Sequence, residues 1–260
     1  MSRFHRTEIL LGPRAAQRLK EASVTVVGLG AVGSFAIEAL ARAGIGHFRL
    51  VDFDEIRESN VNRQIFALNS TLGRPKADVA RERVLDINPN AQVETFKVFV
   101  DAETAATILP EAGGILIDAI DSLSSKVALL ASARRRGVRT IVSSMGAATR
   151  TNPLDIRTGD LFESQHCPLA RLTRKRLRRF GVEDGIRCVY SVEPPKKHAI
   201  QDPHEAEGPR VIDRGRPRRT LGSLSYMTGI FGLMAAREVI QSIVGEIEEN
   251  SHDPEPDYAG

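Results

Sequence analysis

The chain of 260 residues is 42% hydrophobic and 27% charged with a formal net charge of +3, the balance of an ordinary soluble chain that buries one sizeable core. Its two cysteines, Cys167 and Cys188, form neither a CxxC pair nor an even-spaced framework. Neither a structural zinc site nor a secreted disulfide scaffold is therefore indicated, and a reducing cytoplasm is the expected location.

The N-terminus "MSRFHRTEIL" has no apolar signal core. "SVTVVG" (23–28) then reads as a buried strand, "AVGSFAIEALARAG" as the following helix and "HFRLVDF" (47–53) as a second strand, with Gly44 and Gly46 in the turn. A helix is expected from Lys76 to Asp86, a third strand in "AQVETFKVFV", a fourth in "GILIDAI" (114–120), a helix from Ser122 to Arg136 and a fifth strand in "VRTIVSS" (138–144). This alternation predicts an α/β fold of the doubly wound, Rossmann-like class with a mainly parallel sheet.

After Thr151 the pattern changes. "DIRTGDLFES" and "RCVYSV" are candidate strands on either side of a basic helix, and residues 194–219 have no hydrophobic period and read as a mobile loop. Helix is expected again from Leu221 to about Val244, followed by an acidic tail, "EIEENSHDPEPDYAG", read as disordered. The longest apolar stretch, "YMTGIFGLMAA", is interrupted by glycines and closed by Arg237 and Glu238. It reads as a buried helix rather than a transmembrane segment.

Charge is unevenly placed. Residues 171–219 hold 14 Arg or Lys against 7 Asp or Glu, leaving 22 against 26 elsewhere. Within them "RLTRKRLRR" carries six cations in nine residues, Arg171, Arg174, Lys175, Arg176, Arg178 and Arg179. A solvated helix face is one explanation, and a surface for a polyanion, which clustered cations bind by displacing its counterions, is the other.

"GLGAVG", Gly28 to Gly33, follows a strand and opens a helix, the context that gives a GxGxxG match its meaning. Glycines let backbone approach phosphates, and the helix N-terminus directs unpaired N–H groups at them. Asp52, at the end of the second strand, is placed to accept hydrogen bonds from ribose hydroxyls. These features alone fit a nicotinamide-dependent oxidoreductase. Arg63 and Lys76 do not, because a pyrophosphate already satisfied by helix N–H groups needs no further cations. A triphosphate under attack does, since a guanidinium, an ammonium and a metal held by a carboxylate such as Asp121 stabilise the charge that moves onto leaving pyrophosphate.

"VVGLGAVGSFAIEALARAGIGHFRLVDFDEIRESNVNRQIF", "LGRPKADVARERVLDINPNAQV" and "IDAIDSLSSK" together resemble the ATP-dependent adenylating family of ubiquitin-activating enzymes and their bacterial relatives MoeB, ThiF and HesA. The resemblance covers residues 3 to about 150. It implies that Gly28, Gly30, Ala31, Gly33 and Ser122 line the ATP site, Asp52 holds ribose, and Asn60, Arg63 and Gln64 face the phosphates. It further implies that Lys76 neutralises those phosphates and Asp121 serves magnesium. Arg6, in "RFHRTEILLG", matches an arginine that reaches the neighbouring subunit's site in homodimeric members. Asp54 reads instead as a loop-capping residue and Asp118 as a strand-end residue.

Members that activate sulfur carriers usually have two CxxC pairs and often a transfer cysteine, and this chain lacks both features. Cys167 and Cys188 have no base or thiolate-stabilising motif beside them and read as buried structural residues. "PLARLTRKRLRRFGV", "RCVYSVEPP", "EGPR" and "LGSLSYMTGIFG" resemble the branch of the family that dehydrates threonylcarbamoyladenosine beside the tRNA anticodon. That branch activates the threonyl carboxylate with ATP, and an atom of the same molecule closes a ring, so no nucleophilic cysteine is needed. The resemblance implies an ATP-binding core over 1–150, a substrate-binding extension with the C-terminal helix over 151–245 and a tail over 246–260. It also implies a tRNA substrate meeting Arg171, Arg174, Lys175, Arg178 and Arg179. ATP, magnesium and a homodimer are expected. A monovalent cation near "SSMGAAT" and a sulfur-transfer partner are left open, as is activation of a sulfur-carrier protein.

Overall fold

The computed structural model describes residues 2–201 and 220–248, with side chains through residue 245. Two helices, α1 (His5–Leu11) and α2 (Pro13–Glu21), lead into β1 (Ser23–Val27), α3 (Gly33–Ala43) and β2 (His47–Val51). There follow α4 (Lys76–Ile87), β3 (Gln92–Phe96), α5 (Ala105–Ile108), β4 (Ile115–Asp118), α6 (Leu123–Arg136) and β5 (Thr140–Ser144). The remainder forms β6 (Ile156–Asp160), α7 (Pro168–Leu177), β7 (Arg187–Ser191), the short β8 (Ile200–Gln201) and β9 (Thr220–Leu221), and α8 (Ser225–Glu248).

Seven strands form one sheet in the order β3-β2-β1-β4-β5-β7-β6, parallel throughout except that β6 runs antiparallel to β7 at the edge. Strand order reverses between β1 and β4, which opens a crevice at their C-terminal ends, where ligands bind in folds of this class. One apolar cluster joins α3, α4 and α8 to one face of the sheet, and a second joins α6 and α7 to the other.

The glycines that interrupt the long apolar stretch seat α8 across α3. A Cβ on Gly232 would lie 2.4 Å from the Val32 carbonyl oxygen, so only glycine permits that approach. α8 is long and apolar enough to cross a membrane by length and composition, yet Phe231, Ala235 and Val239 are fully buried in the protein.

Several boundaries differ from the sequence reading, among them the strands β3, β4 and β5, which are each shorter than expected. Leu221 belongs to β9, hydrogen-bonded to β8, and the helix starts at Ser225. The helix backbone also continues to Glu248, into the segment expected to be a tail. The second strand stops at Val51 because the Asp52 carboxylate turns back to accept backbone N–H groups. Residues 202–219 of the expected loop and 249–260 of the tail lie outside the described residues.

Candidate active site

The turn after β1 is built against the exit of β4. Gly28 has φ +89°, and a Cβ there would lie 2.8 Å from the Ala119 carbonyl, while one on Gly33 would lie 1.9 Å from the Gly28 oxygen. Packing therefore requires glycine at both positions. Gly30 is different, because its added Cβ would meet only Gln64 Nε2, at an ordinary 3.5 Å. What glycine provides at Gly30 is open backbone, with half-buried Ala31 beside it at the start of α3.

Asp52 is locked under this turn. Its Oδ2 accepts from Leu29 N at 2.7 Å and its Oδ1 from Asp54 N at 2.9 Å. Burial raises its pKa, and the charge of Lys76 and the two backbone N–H groups oppose that rise. Each oxygen retains acceptor capacity for a ribose hydroxyl.

Lys76 opens α4 and is only 6% exposed, with Nζ 3.1 Å from Asp54 Oδ2. Asp54 is therefore more than a loop cap, since it also receives the Lys76 backbone N–H at 3.0 Å and anchors that lysine twice. Asn60 caps a short 3-10 turn, its Oδ1 accepting from Arg57 N at 3.1 Å. Arg63 rests on the same turn, donating to Ser59 O and Asn62 Oδ1, both at 2.8 Å. Gln64 is buried beside Gly30. Glycine turn, Asp52, Gln64 and Lys76 thus form one contiguous group.

Asp121 and Ser122 occupy the loop from β4 to α6, two and three residues beyond Ala119, which touches Gly28. Asp121 is exposed and Ser122 is the N-cap position of α6. Arg6 is exposed on α1, which packs on α2. Among the described residues no cluster of three His, Cys, Asp or Glu could hold a metal. A single carboxylate such as Asp121 still suits magnesium, which commonly takes one or two carboxylates and completes its shell with phosphate oxygens and water.

Sequence reasoning misses Lys126. It is fully buried, donating from Nζ to Asp118 Oδ2 at 2.6 Å and to Ser144 O at 3.0 Å, and Ser143 Oγ donates to the same carboxylate oxygen at 2.6 Å. Asp118 is a strand-end residue, as expected, and in addition its Oδ1 accepts from Ile120 N at 3.1 Å and shapes the loop carrying Asp121. The signal that could have found the buried pair is "KVALLA", a lysine at the head of an apolar run.

α7 buries Ala170, Thr173 and Leu177 and exposes Arg171, Lys175 and Arg176, and Arg178 and Arg179 are exposed on the 3-10 turn that follows it. Arg174 is instead turned inward, its Nη1 donating to Ser164 O at 2.8 Å and to Leu161 O at 3.2 Å. Arg176 Nη1 donates to Ser124 Oγ at 3.2 Å and ties the basic helix to the first turn of α6, three residues after Asp121. Arg178 stacks over Phe162 at 5.7 Å. Both cysteines are buried, and burial pushes the Cys188 thiol up to about 12. The Cys188 environment does not favour a thiolate nucleophile.

Residues 4–258 match the model of the ThiF family. The chain is 34% identical over 248 residues to the tRNA threonylcarbamoyladenosine dehydratase of Bacillus subtilis (strain 168), covering 95% of this chain and 97% of that one. It is 36% identical over 256 residues to the protein of the same name from Escherichia coli (strain K12), covering 94% of each. The crystal structure of the E. coli dehydratase, TcdA, in complex with ATP superposes with a TM-score of 0.82 at 33% identity, covering 96% of each chain.

Proposed function

Because the chain belongs to the ThiF family, we infer that it is an adenylating enzyme that uses ATP to dehydrate threonylcarbamoyladenosine in tRNA, closing a ring on the base next to the anticodon. The observation that carries this reading is the extent of the likeness. Relatives of that name match 94% and 95% of the chain, so they include the basic helix and the last strands as well as the nucleotide-binding half.

The chemistry has two stages. The threonyl carboxylate attacks the α-phosphate of ATP, giving an acyl adenylate and pyrophosphate. The carbamoyl nitrogen or oxygen of the same nucleoside then attacks the acyl carbon, and AMP leaves with the former carboxylate oxygen. Holding both reactants in one molecule makes ring closure intramolecular. Asp52 orients the ribose, the Gly30 backbone and the start of α3 receive phosphate, and Arg63 and Lys76 stabilise charge moving toward pyrophosphate, with Asn60 and Gln64 beside the phosphates. Asp121, next to Ser122, would hold magnesium, which supplies charge neutralisation between the phosphates.

The exposed cations of α7 meet tRNA phosphates, and the Arg176–Ser124 hydrogen bond keeps that helix beside the Asp121 loop. A homodimer fits the same reading. α1 buries no residue and exposes Ile9 and Leu10, which are 70% and 81% accessible, and Arg6 lies on that helix. Two buried free thiols suit a cytoplasmic setting.

The test is to incubate the purified protein with ATP, magnesium and tRNA carrying threonylcarbamoyladenosine, digest the tRNA and weigh the nucleosides. Loss of one water from the modified nucleoside is expected. ATP–pyrophosphate exchange stimulated by a carrier protein ending in Gly-Gly, with unchanged tRNA nucleosides, would replace this reading.

A further inference from the structure

The turn that leaves β5, "MGAATR", closes around its own arginine. Arg150 is 3% exposed, and its Nη1 donates to the carbonyl oxygens of Gly146 and, at 3.2 Å, Ala148, while Nε donates to the Glu193 carbonyl at 3.0 Å. No carboxylate pairs with it among the described residues, and Nη2 is buried without a partner. The nearby acid, Glu193, is already committed, its carboxylate accepting from Thr151 N and Asn152 N at 2.8 Å each and facing Lys196 at 3.3 Å.

A buried charge without a counter-charge is normally costly. Here carbonyl dipoles from two segments of chain compensate it, the means by which backbone oxygens replace the hydration shell of a monovalent cation. A divalent ion would call for carboxylates that the cage does not contain. The backbone is held in an unfavourable shape to build this cage. Thr149, a β-branched residue that is 7% exposed, has φ +65°, and its N–H donates to Gly222 O at 2.8 Å while its carbonyl accepts from Lys196 N at 3.0 Å. One turn thus joins the exits of β5 and β7 to the segment entering α8.

We propose that the Arg150 guanidinium is a resident cation for this carbonyl cage, so that the turn takes no monovalent metal ion, and that removing the guanidinium converts the cage into a monovalent-cation site. A metal ion and the guanidinium compete for the same oxygens of Gly146, Ala148 and Glu193, and the side chain, being covalently attached, holds them at any salt composition. The sequence leaves a monovalent cation near "SSMGAAT" open, and the geometry assigns that role to the protein itself.

The test is melting temperature in potassium chloride against choline chloride at equal ionic strength, for the full chain, Arg150→Ala and Arg150→Lys. The parent should melt at the same temperature in both salts. Arg150→Ala should lose several degrees in choline and recover most of the loss in potassium, because an ion that binds only the folded state stabilises it by mass action. Arg150→Lys, which keeps a cation in place, should be indifferent to potassium. A parent that potassium stabilises, or a folded Arg150→Ala that melts identically in both salts, would overturn the proposal. If Arg150→Ala does not fold in choline, the proposal expects potassium to restore folding, and failure to fold in both salts would count against it. These readouts involve neither ATP nor tRNA, so their outcome is separate from that of the enzymatic reading.

Discussion

Arg174 Nη1 donates to the Ser164 carbonyl oxygen at 2.8 Å, which turns one of the six cations of "RLTRKRLRR" into the protein. Five cations stay exposed; Arg176 is tied to Ser124, and the four others, Arg171, Lys175, Arg178 and Arg179, are the surface the proposed function would offer to tRNA. Changing these four to Gln should weaken tRNA binding and flatten its salt dependence by about 0.9 log units for each duplex phosphate that is no longer neutralised. ATP affinity should hardly change, because the proposed nucleotide site is the turn around Gly30 and Asp52. Arg174→Gln should instead lower stability by roughly 1–3 kcal/mol, since the Leu161 and Ser164 carbonyls lose their donor. Filter binding at several salt concentrations measures the slope, and an unchanged slope with unchanged affinity would identify the helix as a solvated face.

Substituting Arg63 or Asp121 by Ala should nearly abolish turnover while leaving the melting temperature close to the parent's. Among the described residues Arg63 donates within its own turn, and Asp121 is an exposed residue of the loop from β4 to α6, so both side chains lie outside the apolar clusters. Each substitution is expected to raise the barrier by about 3–4 kcal/mol, by analogy with removal of an oxyanion donor. Turnover within about twofold of the parent would contradict their assignment; by the Boltzmann relation such a change is under ~0.5 kcal/mol.

If Arg6 acts in the partner's site, mixing inactive Arg6→Ala and Asp121→Ala chains should restore activity, because some heterodimers then contain one intact composite site. Subunit exchange is verified independently with a tagged chain. Exchange without recovery would place Arg6 outside the partner's site.

The Cys167→Ala, Cys188→Ala double variant should retain activity, with some loss of stability from truncating two buried side chains. Ala is a better choice than Ser, which would add two hydroxyls to an apolar cluster. A folded double variant with no activity would require a thioester mechanism.

Glu193 provides a pH-dependent element. Burial tends to raise its pKa, but hydrogen bonds from the Asn152 and Thr151 N–H groups and from Lys196 prevail and hold it below the usual carboxylate range. A depressed folded-state pKa contributes stability that is fully present above the unfolded-state value of about 4.3 and is lost as pH falls through the folded-state value. Glu193→Gln should therefore flatten the fall in melting temperature on the acid side, below that value. A variant with the parent's acid profile would show that Glu193 is not a source of it.

Local signals in the sequence determined the order of strands and helices, the glycine turn and the position of Asp52, because hydrophobic period, turn chemistry and motif spacing act over a few residues. The residues proposed for the ATP site fall in short segments around "GLGAVG", "VDFDEIRESNVNRQIF" and "IDAIDS", so the motifs that nominate them can be read locally. Tertiary structure decided which charges the protein keeps for itself. Lys126 and Arg150 look like ordinary surface cations in sequence, yet one is sealed against Asp118 and the other among carbonyls. Arg174 is indistinguishable from its neighbours until Leu161 and Ser164 turn to face it. The same holds for Asp54, whose partner Lys76 is 22 residues away, and for β7, which inserts between β5 and the edge strand β6 although β6 precedes it in the chain. Burial and pairing of a charge depend on where distant segments meet, and that meeting is set by packing of the whole sheet and its helices.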